Sequence, residues 1–134
     1  MRFFYLTRKD ILQIHDDAIV DSGGGSGLRN EAGIESAIAA PQTVYFGQEQ
    51  YPTIADKAAV LCFELVTQHP FIDGNKRVGH SAMANFLYMN GYTIDETDDE
   101  QESIILRVAA GEMTKEAFTE WVTAKIIPVD LHNL

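Results

Sequence analysis

Apolar residues recur at helical spacing through most of this chain, and the polar residues between them mark where each helix starts and stops. Thr53-Ile-Ala-Asp56 has the Ser/Thr-x-x-Asp/Glu form of an N-terminal cap, and Ala58, Ala59, Leu61, Cys62, Leu65 and Val66 follow as one stripe. Pro70 disfavours helical geometry in the residue before it, so this helix is expected to end near His69. A second stripe, Ala82, Met83, Phe86, Leu87 and Met89, stops at Asn90-Gly91, a common C-terminal signal. Thr7-Arg-Lys-Asp10 caps a first helix running to about Ile19, and a short helix from Ile34 ends before Pro41. Two last helices, roughly 98–110 and 115–126, end at Gly111 and near Pro128, with Thr97 and Glu100 as a capping box and Trp121 packed inside. Thr43, Val44, Tyr45 and Phe46 have strand composition, with Gly47 as a turn. The pattern predicts a mainly α fold, a helical bundle with one short β-hairpin.

Residues 69–77, His-Pro-Phe-Ile-Asp-Gly-Asn-Lys-Arg, fall in the turn between two buried helices and carry most of the chemistry. The first turn of the second helix offers unpaired N–H groups and the positive end of the helix dipole, which favour an anion. Gly74 lets the chain bend close to a ligand, and Asn75, Lys76 and Arg77 can donate to phosphate oxygens. Asp73 would repel a bare anion, but it makes sense if a divalent cation bridges it to the phosphates, as magnesium does in nucleotide sites. His69 could then take a proton from an incoming hydroxyl. Each residue also has a plainer reading: Asn75 as a helix cap, Asp73 as a charge neutralising Lys76, His69 as a helix-terminal cation, and Phe71 and Ile72 as core plugs. A helix start alone, however, needs no such concentration of base, acid, amide and cations.

Composition narrows the classes. At 134 residues and 46% hydrophobic content, residues 1–134 read as one domain able to bury its own core. Ten basic against 20 acidic residues give a net charge of −10, which argues against general nucleic-acid or anionic-membrane binding. Much of the acid, Asp95-Glu-Thr-Asp-Asp-Glu-Gln-Glu102, reads as a solvated loop and helix start. The single cysteine, Cys62, lies on an apolar helix face and reads as a core thiol in a reducing compartment. No run approaches a membrane span and no signal peptide is recognisable, so a cytoplasmic location is expected. Asp21-Ser-Gly-Gly-Gly-Ser-Gly27 lacks the Lys-Ser/Thr ending of a P-loop and reads as a flexible surface linker.

His69-Pro-Phe-Ile-Asp-Gly-Asn-Lys-Arg-Val-Gly-His-Ser-Ala resembles the signature of Fic/Doc proteins, and most closely the death-on-curing branch, toxins of bacterial toxin–antitoxin pairs. Gly27 to Gln42 and Tyr51-Pro52 are similar to the stretches that precede the motif in that branch, so the resemblance covers about residues 1–125. It implies a Fic/Doc-like bundle in which the hairpin is a flap that docks the target segment by strand pairing, making Thr43, Val44, Tyr45 and Phe46 the docking candidates; a core-covering loop is the other reading. It also implies His69 as general base, Asp73 as the Mg2+ ligand, and Gly74, Asn75, Lys76 and Arg77 as phosphate ligands for ATP.

The wider Fic pattern has Gly at Lys76 and a second Arg at His80. Fic proteins with the full pattern transfer a nucleotidyl group, using that Arg on the distal phosphates. The Doc branch also lacks it, which implies reversed ATP and transfer of the terminal phosphate to a protein hydroxyl, with elongation factor Tu as the implied target. Nucleotidyl transfer and a catalytically idle binding module are the alternatives. Self-inhibited Fic proteins carry a Ser/Thr-x-x-x-Glu-Gly/Asn helix; no such segment lies between residues 1 and 134, so a separate antitoxin chain is the implied restraint.

Overall fold

Reciprocal capping decides where two of the helices begin. In the computed structural model, which describes residues 2–129, Asp10 N–H donates to Thr7 Oγ1 (3.3 Å) and Thr7 N–H to Asp10 Oδ2 (2.8 Å). Thr53 and Asp56 repeat the exchange at 3.0 and 3.2 Å. Two orphan donors are satisfied each time. Residue 1 and residues 130–134 of the expected 1–134 domain lie outside the described residues.

The chain runs α1 (Arg8–Ser22), α2 (Glu31–Ala39), β1 (Val44–Tyr45), β2 (Gln48–Glu49), α3 (Ile54–Gln68), α4 (Asn75–Met89), β3 (Tyr92–Ile94), α5 (Asp98–Ala109), α6 (Lys115–Lys125) and β4 (Ile126–Pro128). The fold is mainly α, as the periodicity predicts. Helix α3 is its axis, packed by α4, α6, α2 and α5. Ala58, Ala59, Cys62, Leu65 and Val66 of α3 are buried with Val78, Met83 and Phe86 of α4 and Phe118 and Val122 of α6. Each large side chain removed from water contributes about 1.5–3 kcal/mol. Gly79 allows α3 and α4 to touch: a Cβ there would sit 2.7 Å from Val66 Cγ2 and 3.2 Å from the Cys62 carbonyl oxygen. No helix of the described residues is long and apolar enough to cross a membrane.

Several boundaries differ from expectation. Helix α1 continues past Ile19 to Ser22 and closes on Gly23 in the left-handed region (φ 71°). Helix α2 starts at Glu31, before Ile34, because Asn30 caps it by accepting from Gly33 N–H. A 3-10 turn, Ala40–Gln42, then carries Pro41. The capping box of α5 is half made: Thr97 Oγ1 accepts from Glu100 N–H (3.1 Å), but Thr97 N–H goes to Glu96 Oε1 (3.1 Å). Glu96 in turn pairs with Lys125, whose hydrogen bond holds the Glu96 carboxyl below its usual range. Trp121 is partly rather than fully buried, stacked on Phe118 with centroids 6.3 Å apart. Ile72 is no core plug: it is 57% exposed, whereas Phe71 is buried. The antiparallel pair β3–β4, with Thr93 opposite Ile127, was not expected, because three-residue strands are too short to show an alternating pattern.

The expected hairpin forms, with Val44 opposite Glu49 and Tyr45 opposite Gln48. Phe46 and Gly47 both take positive φ (51° and 77°), the backbone of the primed turns that suit two-residue hairpins. The side chains of Val44, Tyr45 and Phe46 are exposed. Beneath it, fully buried Lys57 donates to the Pro41 carbonyl (2.8 Å) and to Glu49 Oε1 (3.1 Å), with the rings of Phe3 and Tyr5 5.3 and 5.7 Å from its Nζ. These contacts offset the cost of a buried charge and tie β2 to α3.

Candidate active site

His69 ends α3 with a left-handed backbone (φ 50°, ψ 56°), which turns the chain out of the helix one residue before Pro70. The Pro70 carbonyl accepts from Arg29 N–H (2.8 Å) and Asn30 N–H (3.1 Å), fixing the turn against the start of α2. Phe71 goes inward. Its N–H donates to Asn75 Oδ1 and its carbonyl accepts from Asn75 Nδ2, both at 2.9 Å. Gly74, at φ 87°, then serves as N-cap of α4, and no side chain caps that helix. The first-turn amides of α4 are left for a ligand or water.

The residues singled out in the sequence line one cleft of about 410 Å³: His69, Asp73, Gly74, Asn75, Lys76 and Arg77, with Val66, Ile72 and Ala109 as its apolar walls. An adjoining cleft of about 250 Å³ shares Lys76 and Arg77 and extends over His80, Glu102, Ile105 and Leu106 toward α5. Lys76 is exposed and makes no ion pair among the described residues. Arg77 reaches Asp21 at 3.7 Å with both side chains more than half exposed, a weak attachment that a phosphate could displace. The hairpin residues line neither cleft.

Individual side chains depart from the expected uses. The side chain of Asn75, expected on phosphate, is committed to the Phe71 backbone, which leaves only its backbone N–H for that use. Asp73 does not pair with Lys76; its Oδ2 accepts from Gly25 N–H at 2.9 Å. The glycine run is therefore no free linker. It lies across the signature, with Ile72 N–H donating to the Gly27 carbonyl (3.1 Å). A Cβ at Gly25 would stand 3.0 Å from Asp73 Oδ2, and one at Gly27 2.9 Å from Ile72 Cδ1. Absent side chains, rather than flexibility, allow this approach.

Two further side chains escaped the sequence reading. His15 of α1, buried, lies against this loop; the available signal was a polar residue between Ile11 and Ala18 on an otherwise apolar stripe. Gln101 of α5 donates from Nε2 to the Glu96 carbonyl (2.9 Å), which turns its Oε1 to His80 Nε2 at 2.8 Å. His80 must then donate through Nε2, so that nitrogen is spent on α5.

Among the described residues no three His, Cys, Asp or Glu side chains gather as a metal cage. The donor chemistry still fits magnesium, which keeps several waters and is commonly held by one or two carboxylates plus substrate phosphates. Asp73 is the carboxylate that lines this cleft, beside the start of α4 that no side chain caps.

The family model described as Fic/DOC family matches residues 5–87, the span from before α1 into the last turn of α4. Toxin Doc of Mycolicibacterium smegmatis is 33% identical over 109 residues, 77% of this chain and 82% of that protein.

Proposed function

The chain belongs to the Fic/DOC family, and from that premise we propose that it is the toxin of a toxin–antitoxin pair, a magnesium-dependent protein kinase that moves the terminal phosphate of ATP to a target hydroxyl. The observation that carries the choice of group is the pair of departures in the cleft. Lys76 adds a cation to the phosphate cradle, and His80, where nucleotidyl-transferring relatives have a second Arg, is shorter and has its Nε2 hydrogen bonded to Gln101.

In this reading the target hydroxyl oxygen bonds to the γ-phosphorus while the bond from that phosphorus to the bridging oxygen of ADP breaks. The hydroxyl proton passes to His69. The amides of Gly74 and Asn75, with Lys76 and Arg77, hold the phosphates and stabilise charge as it develops. Magnesium held by Asp73 would neutralise phosphate oxygens when bound. The hairpin, half-buried at Thr43 and exposed from Val44 to Phe46, presents an edge to which an extended segment of the target can pair. The proposed target is a translation factor, elongation factor Tu first, and the proposed restraint is an antitoxin helix laid over the cleft.

Intact-mass measurement of candidate targets after incubation with ATP and magnesium tests this. A gain of about 80 Da supports phosphate transfer, and one of about 329 Da identifies AMP transfer instead. Binding of nucleotide with no mass change on any target, and no effect of His69→Ala on growth arrest, would favour an idle binding module.

A further inference from the structure

Helix α1 and the segment after it grip Asp73 at both ends, through contacts the chemistry above does not use. Gly25 N–H holds the carboxylate. His15, 4% exposed, stacks on Phe71 with ring centroids 3.8 Å apart and 7° between planes, and its Nε2 lies 3.0 Å from the Asp73 carbonyl oxygen. A carbonyl only accepts, so His15 carries a proton on Nε2 and donates. That carbonyl belongs to the same planar unit as the Gly74 N–H. The unit is trans, so drawing its oxygen toward His15 turns the Gly74 N–H away from α1. Gly74 lines the cleft and has no Cβ to restrict its rotation. Without an anchor, the peptide before it is free to turn over and remove an anion donor.

We infer that His15 is a positioning residue: its Nε2–H locks the Asp73–Gly74 peptide so that the Gly74 N–H faces a bound phosphate. A structural role alone, packing against Phe71, would be served as well by any flat ring. The inference rests on the functional reading above for the identity of the anion, but not for its test.

The experiment uses the whole chain with His15→Phe, which keeps the ring and removes the donor, and His15→Gln, which restores a donor on a flexible stem. Inorganic phosphate and magnesium-ATP are titrated while the Gly74 amide is followed by NMR and affinity by calorimetry. In the parent, the Gly74 amide should shift on binding, and the His15 ring should show a protonated Nε2. The Phe variant should bind magnesium-ATP about tenfold more weakly, in keeping with loss of one hydrogen-bonded support, and the Gln variant should regain most of that. Affinity of the Phe variant within twofold of the parent, a Gln variant no better than Phe, a silent Gly74 amide or an unprotonated Nε2 in the parent would each overturn the inference. Should the Phe variant fail to fold, the parent's ring and amide signals still decide it. A parent that binds phosphate at Gly74 yet modifies no target counts against the kinase reading and leaves the role of His15 standing.

Discussion

His69 combines a proposed catalytic task with a backbone that a histidine adopts at a cost. Left-handed geometry is unfavourable by roughly 1–2 kcal/mol for most L-residues, and here it is what turns the imidazole out of α3 into the cleft. His69→Ala and His69→Gly should therefore separate two effects. Both should lower turnover by about 10²–10⁴-fold, the loss of a general base, while nucleotide binding persists. His69→Gly alone should relieve the backbone, so its thermal midpoint should lie above that of His69→Ala; the reverse order would show that the turn is not strained. Cys62 is the opposite case, a reactive group made inert. Burial pushes its thiol far up, so the folded state keeps the proton that an unfolded chain releases near its ordinary pKa of about 8.5. A raised pKa gives stability present below that value and lost above it, at up to about 1.4 kcal/mol per pH unit. Denaturation of the parent above pH ~8.5 should thus show a steeper decline than Cys62→Ala, and thiol reagents should label the parent only on unfolding. The residue types of the site were legible because nine consecutive positions carry them. What each side chain touches was not: Asn75 turns back to Phe71, and His15 arrives from 58 positions away.

Helix starts written as capping boxes were the most legible elements, since a capping box is a local exchange written in four residues. It is present at Thr7 and Thr53 and fails only at Thr97, where Glu96, one residue upstream, takes the backbone donor instead. Strands β3 and β4 were illegible for the converse reason: they depend on a partner more than thirty residues away. The contact between α3 and α4 was equally hidden, although one residue governs it. Gly79→Ala forces its new methyl against Val66 and the Cys62 carbonyl, and a helix backbone yields less easily than a side-chain tip. The substitution should destabilise by about 1–3 kcal/mol despite the better helix propensity of Ala, read as a lower denaturant midpoint with an unchanged m-value. A neutral or stabilising result would mean that the two helices separate at little cost.

Taken together, the cleft draws on the end of α3, the start of α4, a wall from α5 and supports from α1 and the glycine run, so no single segment contains it. Its centre was readable because the signature spans one turn. The supports were not, since nothing local distinguishes Gly25 lying on a carboxylate from glycine in a linker. The mainly α fold was legible from periodicity, and α3 was the stripe that announced the core.

The exposed hairpin also bears on how the free protein behaves as a colloid. Val44, Tyr45 and a fully bare Phe46 sit on a two-stranded ribbon whose outer edges are open, the arrangement by which copies of a chain add strands to one another. A net charge of −10 opposes such encounters, but only over the range that dissolved salt permits. That range shrinks from about 10 Å at 0.1 M to about 3 Å at 1 M ionic strength. Light scattering from concentrated parent protein should accordingly rise with added sodium chloride, and Phe46→Lys should suppress the rise by placing a charge on the ribbon. Scattering that stays flat in salt, or climbs equally in both proteins, would mean the ribbon edge is already protected and the repulsion is not what keeps the copies apart.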